Sequence, residues 1–299
     1  MYYDVIIIGG GPAGLNAALN FGRGMKQTLV IDANNPRNRV TNESHSYLTQ
    51  DGVKPTEFKR KAKADVTKYK DVTYLEERVE KVEKIDKGFE VKTQFQTFNA
   101  RQVLVATGLR EQSPDIANFN DFYGQTVFYC PWCDGYEMRN KKLAVIYSGE
   151  MMVHMVKLLS NFSQDLVVFT NGEKDILQED KVLLDKKGIN IYTEPIVRLV
   201  GNDGQLKGIE LNDEQIISVE GAFARMYWDT QFDFLDRLNV IRDEDGKFET
   251  DMFGKTSVEG LYVAGETKDN FAGQLLDSAA NGGMVAKMMM MQQIEEDFW

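Results

Sequence analysis

The sequence predicts an α/β protein with two βαβ units on largely parallel sheets, and three observations carry that reading. First, the apolar run Asp4-Val5-Ile6-Ile7-Ile8 leads straight into Gly9-Gly10-Gly11-Pro12-Ala13-Gly14 and a helical stretch from Leu15 to Gly24. A run without alternation fits a strand covered on both faces. Second, a weaker copy follows: strand Leu143-Ala144-Val145-Ile146-Tyr147, helix Met151 to Asn161, strand Leu166-Val167-Val168-Phe169. Third, the chain returns near its end to another buried strand, Gly260 to Glu266.

The first unit contains GxGxxG in the strand-turn-helix setting that the motif requires. Gly9 permits the tight turn, Gly11 lets the backbone approach a pyrophosphate, and Gly14 lets the helix pack on the strand. The helix N-terminus adds free N–H groups and a positive partial charge. The next strand, Thr28-Leu29-Val30-Ile31, ends at Asp32, close to the ~20-residue offset of an acidic ribose-binding residue. A polar loop follows, with Arg37, Arg39, His45 and Asp51-Gly52, then a charged helix from Lys54 to Lys70 with no chemistry assigned to it. Val72 to Phe98 reads as short antiparallel strands, and Val103 to Gly108 as a buried strand ending in a small-residue turn.

Leu109 to Asn120 is a connection into the second unit. There the turn Ser148-Gly149-Glu150-Met151-Met152 has one glycine where a dinucleotide site wants three, and Thr170 to Asp175 offers no arginine for a 2′-phosphate. Ile189 to Val219 alternates around Asn202-Asp203-Gly204 as a small hairpin sheet does. Ala222 to Tyr227 reads as the connection back. In the final helix, Gln274 to Gln293, Gly282-Gly283 point to close backbone approach, and Met288 to Met291 to core or dimer packing.

Composition bounds the function. The 299 residues carry a formal charge of −11, which argues against a nucleic-acid partner. No run approaches the ~18 apolar residues of a membrane span, and the start lacks a basic leader, so a cytoplasmic enzyme is expected. The only two cysteines are Cys130 and Cys133, in Cys130-Pro131-Trp132-Cys133-Asp134-Gly135. Half a zinc site, a structural staple and a redox dithiol compete. Zinc needs about four ligands and the chain adds only His45 and His154, so no metal is expected. A disulfide this local stabilises little, and the redox reading leads.

Taken in order, GGGPAG, Ala106-Thr107-Gly108, CPWCDG and Gly260 to Glu266 resemble the low-molecular-weight thioredoxin reductase family of FAD-dependent pyridine nucleotide-disulfide oxidoreductases. The resemblance covers nearly the whole chain, and Cys130 to Glu137 with His45 and Asp51-Gly52 is most similar to its thioredoxin reductase-like members. It implies two Rossmann-like, three-layer domains: a discontinuous FAD domain at 1–110 and 225–299, and a smaller inserted nucleotide-binding-like unit at 111–224 bearing the cysteines. It implies FAD at Gly9, Gly11, Pro12, Ala13, Gly14 and Asp32, at Ala106, Thr107 and Gly108, at Gly265 and Glu266 (where the family usually has Asp), and at Gln274 and Leu275. Cys133 would face the flavin, Cys130 would attack the substrate disulfide, Asp134 would exchange protons with the thiols, and His45 is a further catalytic candidate.

The same resemblance implies thioredoxin or a similar protein as substrate and a homodimer. The missing second glycine motif and arginine cluster argue against NADPH as donor. Members without them are similar to ferredoxin-dependent enzymes, for which Arg37 and Arg39 are the candidate docking patch. A dithiol oxidase for a small molecule and a flavin redox sensor are the alternatives. If no nicotinamide binds, Phe298 or Trp299, from this chain or a second copy, is expected to cover the flavin.

Overall fold

The computed structural model describes residues 2–229, 232–269 and 273–299. The chain divides into two compact units: Met1–Arg39, Ser46–Arg110 and Trp228–Trp299 form the first, and Val40–His45 with Glu111–Tyr227 the second.

The first unit is organised around the strand Tyr2–Ile8, which pairs in parallel with Thr28–Ile31 on one side and Thr97–Val105 on the other. Its side chains divide by the two-residue period of a strand. Val5 and Ile7 enter a core shared with helix Pro12–Arg23 and the final helix Leu275–Phe298. Ile6 and Ile8 enter a second core with Val82, Phe89, Val91, Phe232 and Phe248. Both faces are covered, which is why this stretch reads as an unbroken apolar run. The sheet runs Val72–Leu75, Thr28–Ile31, Tyr2–Ile8, Thr97–Val105, Gly88–Thr93, Val79–Ile85, with Leu261–Val263 also beside Thr97–Val105.

The antiparallel expectation for Val72 to Phe98 holds for the last strands only: Val72–Leu75 lies parallel to Thr28–Ile31. Its partly exposed edge position gives it an alternating pattern that mimics a hairpin strand. Helices Pro12–Arg23 and Leu275–Phe298 approach closely. A Cβ on Gly282 would sit 2.0 Å from the Ala13 carbonyl oxygen, and the Asn16 amide donates to the Ala279 carbonyl at 2.5 Å. The approach expected of the Gly282-Gly283 pair is therefore made to a neighbouring helix. Met289 is fully buried beneath it, and Met291 is half exposed.

The second unit is a five-stranded parallel sheet, in the order Asn190–Tyr192, Leu166–Phe169, Leu143–Ile146, Gly221–Ala224, Val127–Phe128. Asn190–Tyr192 belongs to this sheet and not to the hairpin layer. Gly221–Ala224, within what reads as a connection, is a fully buried strand; its small side chains hide it from a hydrophobicity reading. The hairpin layer is Ile196–Asn202, Gln205–Leu211 and Ile216–Ser218, and its turn takes positive φ at Asp203 (51°) and Gly204 (74°). Val40–His45 joins this unit through Gly124, where a Cβ would meet the Val40 carbonyl oxygen at 2.5 Å.

Candidate active site

Three neighbouring strands of the first unit, Tyr2–Ile8, Thr97–Val105 and Leu261–Val263, end side by side, and their turns form a cradle at the carboxyl edge of the sheet. Gly9 turns at φ 110°, donates its N–H to Ile31 at 2.8 Å, and lies so near the next turn that a Cβ would be 2.4 Å from the Ala106 carbonyl oxygen. A Cβ on Gly14 would fall 1.9 Å from the Gly9 carbonyl oxygen. Gly11 differs from both. It caps the helix with extended backbone and no side-chain bond, and its Cβ direction is open space. Pro12 occupies the first helical position, where its missing N–H costs nothing. Ala13 packs against Gly265, whose φ is 66°.

The second and third turns are pinned by side chains that sequence reasoning missed. Gly108 donates its N–H to Thr267 Oγ1 at 2.8 Å, and Gly265 donates to Asn281 Oδ1 at 2.8 Å. Glu266 Oε1 accepts from Arg37 Nη2 at 2.6 Å and from the Gly273 N–H at 3.0 Å. Arg37 also lies 5.5 Å from the Trp228 ring centre. Arg37 is therefore committed to the cradle, which corrects its reading as a docking patch; Arg39 donates to the Pro36 carbonyl. Thr107 is exposed beside Gly108, and Gln274 begins the last helix without a side-chain cap. An open Gly11, two uncapped helix starts and the buried carboxylate of Asp32 fit a dinucleotide cofactor.

Asp32 is engaged by two further residues missed from the sequence. Lys59 Nζ lies 2.6 Å from its Oδ2, and the Tyr74 hydroxyl donates to the same oxygen.

In the second unit, Cys130 and Cys133 form a disulfide with Cα atoms 5.3 Å apart. Cys130 precedes the single helical turn Pro131–Asp134, and its carbonyl accepts the N–H of Cys133 at 3.1 Å. Gly135 is required there, because a Cβ would be 2.5 Å from the Pro131 carbonyl oxygen. Trp132 is exposed and meets Phe162 edge-on. Burial, helped by the negative charge of Glu137, pushes the Asp134 carboxyl up to about 7. His45 Nε2 lies 3.7 Å from Glu137 and 3.7 Å from Glu43, so the loop histidine reaches the redox segment through Glu137. Among the described residues no group of three or more His, Cys, Asp or Glu is placed to hold a metal ion.

The turn of the second βαβ has Tyr147 and Met152 at the first and last fingerprint positions, and its one glycine, Gly149, takes φ 65° with open space in its Cβ direction. Met152 is buried, and burial raises the Tyr147 phenol to about 12 while its hydroxyl donates to the Ala224 carbonyl at 3.2 Å. The Thr170 hydroxyl is spent on the Glu173 carbonyl, and Asn171 Oδ1 accepts the Ile196 N–H at 2.8 Å.

At the C-terminus, Phe298 and Trp299 are exposed and pack edge-on against each other. The 24-residue helix places them about 36 Å from Gln274 at 1.5 Å per residue, and Arg101 holds that far end through Glu296 and Asp297. Within one chain the helix keeps both aromatics far from Gln274, so of the two expected sources of cover only a second copy is left. No described helix is long and apolar enough to cross a membrane.

The family model of pyridine nucleotide-disulphide oxidoreductases matches residues 3–291. A Bacillus anthracis structure assigned as a thioredoxin reductase is 37% identical, covers 99% of this chain and 100% of its own, and superposes with a TM-score of 0.95. The structure of a protein called HlmI is 30% identical, with 99% and 93% coverage and a TM-score of 0.91. The thioredoxin reductase of Listeria innocua is 26% identical over 302 residues, 95% of this chain and 92% of that one. Together with two parallel-sheet units, one carrying a glycine cradle and the other a CxxC disulfide, these matches show that the chain belongs to the pyridine nucleotide-disulphide oxidoreductase family, as an oxidoreductase and flavoprotein of the low-molecular-weight thioredoxin reductase-like branch.

Proposed function

We propose that this enzyme reduces the disulfide of thioredoxin or a similar protein through Cys130 and Cys133, with FAD held by the first unit at Gly9, Gly11, Pro12, Ala13, Gly14, Asp32, Ala106, Thr107, Gly108, Gly265, Glu266, Gln274 and Leu275. Bound FAD supplies a two-electron store. Starting from the reduced pair, the Cys130 thiolate attacks the substrate disulfide, forming a mixed disulfide and expelling one substrate thiolate. Cys133 then attacks the Cys130 sulfur, restoring the Cys130–Cys133 bond and expelling the second. Asp134 protonates a leaving thiolate, and His45 with Glu137 sets the charge around it. The observation that carries this reading is the Cys130–Cys133 disulfide with the buried carboxyl of Asp134 directly after it in the chain, a group that burial pushes up to about 7. Replacing Cys130 by Ser should abolish disulfide reduction and leave FAD bound; persistent turnover removes the cysteine mechanism.

The donor is read as other than NADPH, because Tyr147 and Met152 stand at two of the three glycine positions of a second fingerprint, only Gly149 remaining, and no arginine follows at Thr170 to Asp175. Anaerobic titration with NADPH, NADH and reduced ferredoxin, followed by flavin bleaching, tests this. Stoichiometric bleaching by NADPH sinks it; bleaching by ferredoxin alone supports an iron–sulfur donor. The same departure from the fingerprint favours a second reading, in which electrons enter from a small dithiol substrate and leave to oxygen. Peroxide formed with added dithiol and air, without thioredoxin reduction, identifies that direction. For a homodimer, support comes from the exposed stripe Met284, Met291, Ile294 and Phe298 on the last helix, and sedimentation checks it.

A further inference from the structure

The fingerprint GxGxxG asks nothing of its second position, yet this chain has glycine there too. The reason lies behind it. A Cβ on Gly10 would be 2.7 Å from both Cγ and Oδ2 of Asp32 and 2.8 Å from the Tyr74 hydroxyl. Asp32 is 7% exposed, and Oδ2 takes both side-chain donors, Tyr74 Oη and Lys59 Nζ. Neither donor is there by accident of a loose surface chain. Tyr74 sits in Val72–Leu75, whose parallel register places it opposite Val30, and Asp32 donates its N–H to Leu75 at 3.0 Å. Lys59 is one turn before Lys63 on the helix Pro55–Thr67; Lys63 Nζ lies 4.1 Å from the Tyr74 ring centre, and Lys59 Nζ also donates to Asn34 Oδ1 at 2.8 Å.

We propose that Lys59 and Tyr74 are positioning residues for the adenosine ribose of FAD: they hold Asp32 ionised and turned so that Oδ1 accepts from ribose hydroxyls, and Gly10 is glycine to admit them. The inference rests on FAD binding at Asp32 and goes beyond the motif, which specifies only the acid. Both side-chain donors fall on Oδ2, so Oδ1 keeps lone pairs for a ligand. Burial alone would push this carboxyl up; hydrogen bonds from Lys59 and Tyr74, with the Gly10 N–H, outweigh it and hold the group below the usual carboxylate range. A group held low in the folded state keeps its charge as the pH falls past the range where an unpaired buried carboxyl takes up a proton.

The test is FAD affinity of the purified full chain against pH, read as flavin retained after ultrafiltration. Wild type should hold FAD evenly from about pH 8 to about pH 5. Lys59→Met should bind FAD roughly ten- to a hundredfold more weakly, with the loss growing toward acid, and Lys59→Arg should restore the flat profile. Tyr74→Phe should weaken binding severalfold and keeps the test open where Lys59→Met does not fold. The Tyr74→Phe apoprotein should lose only the modest stability of one hydrogen bond, so its affinity is read on a folded chain. Variants with wild-type affinity and a flat profile overturn the proposal, as does a lowered apoprotein midpoint with no pH dependence. A wild-type chain that binds no FAD refutes the cofactor reading itself, and so separates the two failures.

Discussion

The two βαβ units begin alike and end differently. Strands Tyr2–Ile8 and Leu143–Ile146 each hand over to a helix after three residues, capped by Gly11 in one and Gly149 in the other. In the first unit the backbone takes positive φ at the opening residue, Gly9 (110°), and Gly11 is ordinary at −81°. In the second it does so at the closing residue, Gly149 (65°), and Tyr147 stands where Gly9 stands. Pro12 corresponds to Glu150 and Gly14 to Met152. Both helix starts lack a side-chain cap and both cap glycines face open space, but the second turn has Tyr147 and Met152 at the first and last fingerprint positions and puts the carboxylate of Glu150 at the helix start, where it opposes an anion. Equal spacing preserves a fold while the residues at the fingerprint positions are free to differ.

The largest expected effect separates the units cleanly. Gly14→Met gives the first turn the residue of the second. With only 1.9 Å to the Gly9 carbonyl oxygen, it should abolish FAD retention while Cys130–Cys133 still forms, read by flavin absorbance and thiol titration. Cys133→Ser should do the reverse, with reductase turnover falling by at least about a thousandfold and flavin retained. Retention of FAD by Gly14→Met would end the comparison.

Asp134→Asn should lower turnover by roughly a hundredfold, read by steady-state kinetics. Its stability effect has a definite sign. A carboxyl raised to about 7 by burial costs the folded protein nothing below the unfolded value near 4, and its cost grows as pH rises through about 7. Denaturant unfolding should therefore find Asp134→Asn more stable than wild type at alkaline pH, by up to a few kcal/mol, and equal to it in acid. Met152→Ala, by contrast, removes a buried side chain and should cost about 2–5 kcal/mol without creating a nucleotide site. The smallest effect is at Glu137. Removing its charge with Glu137→Gln should lower the Asp134 value by under about one unit, seen as an acid-side shift of the pH–rate profile.

The elements legible in the sequence are those whose signal is local. Thr28–Ile31 and Leu166–Phe169 match their read boundaries because four buried β-formers between turns leave no other reading. The GGGPAG turn was legible for the same reason. Gly221–Ala224 was not, since Gly and Ala carry little hydrophobic signal even in a central strand. Nor were Lys59 and Tyr74. A lysine on a charged helix looks solvated, and only the parallel register of Val72–Leu75 brings a distant phenol to Asp32. Thr267 and Asn281 were hidden likewise, because each stabilises a turn through a contact that exists only after the last strand has docked.

The packing of Gly282 on Ala13 has a consequence for the order of events during synthesis. The helix that opens the phosphate cradle leaves the ribosome early, and the turn at Gly265 and the helix that seats against it emerge last. Until then the first half of the cradle has no partner surface for its small-residue face, and the two halves can meet only by closing almost the entire chain as a loop. On the proposed reading, a cofactor held by both halves is captured only after the final helix has seated. A nascent chain stalled before its final helix would hold one half of the cradle without the other.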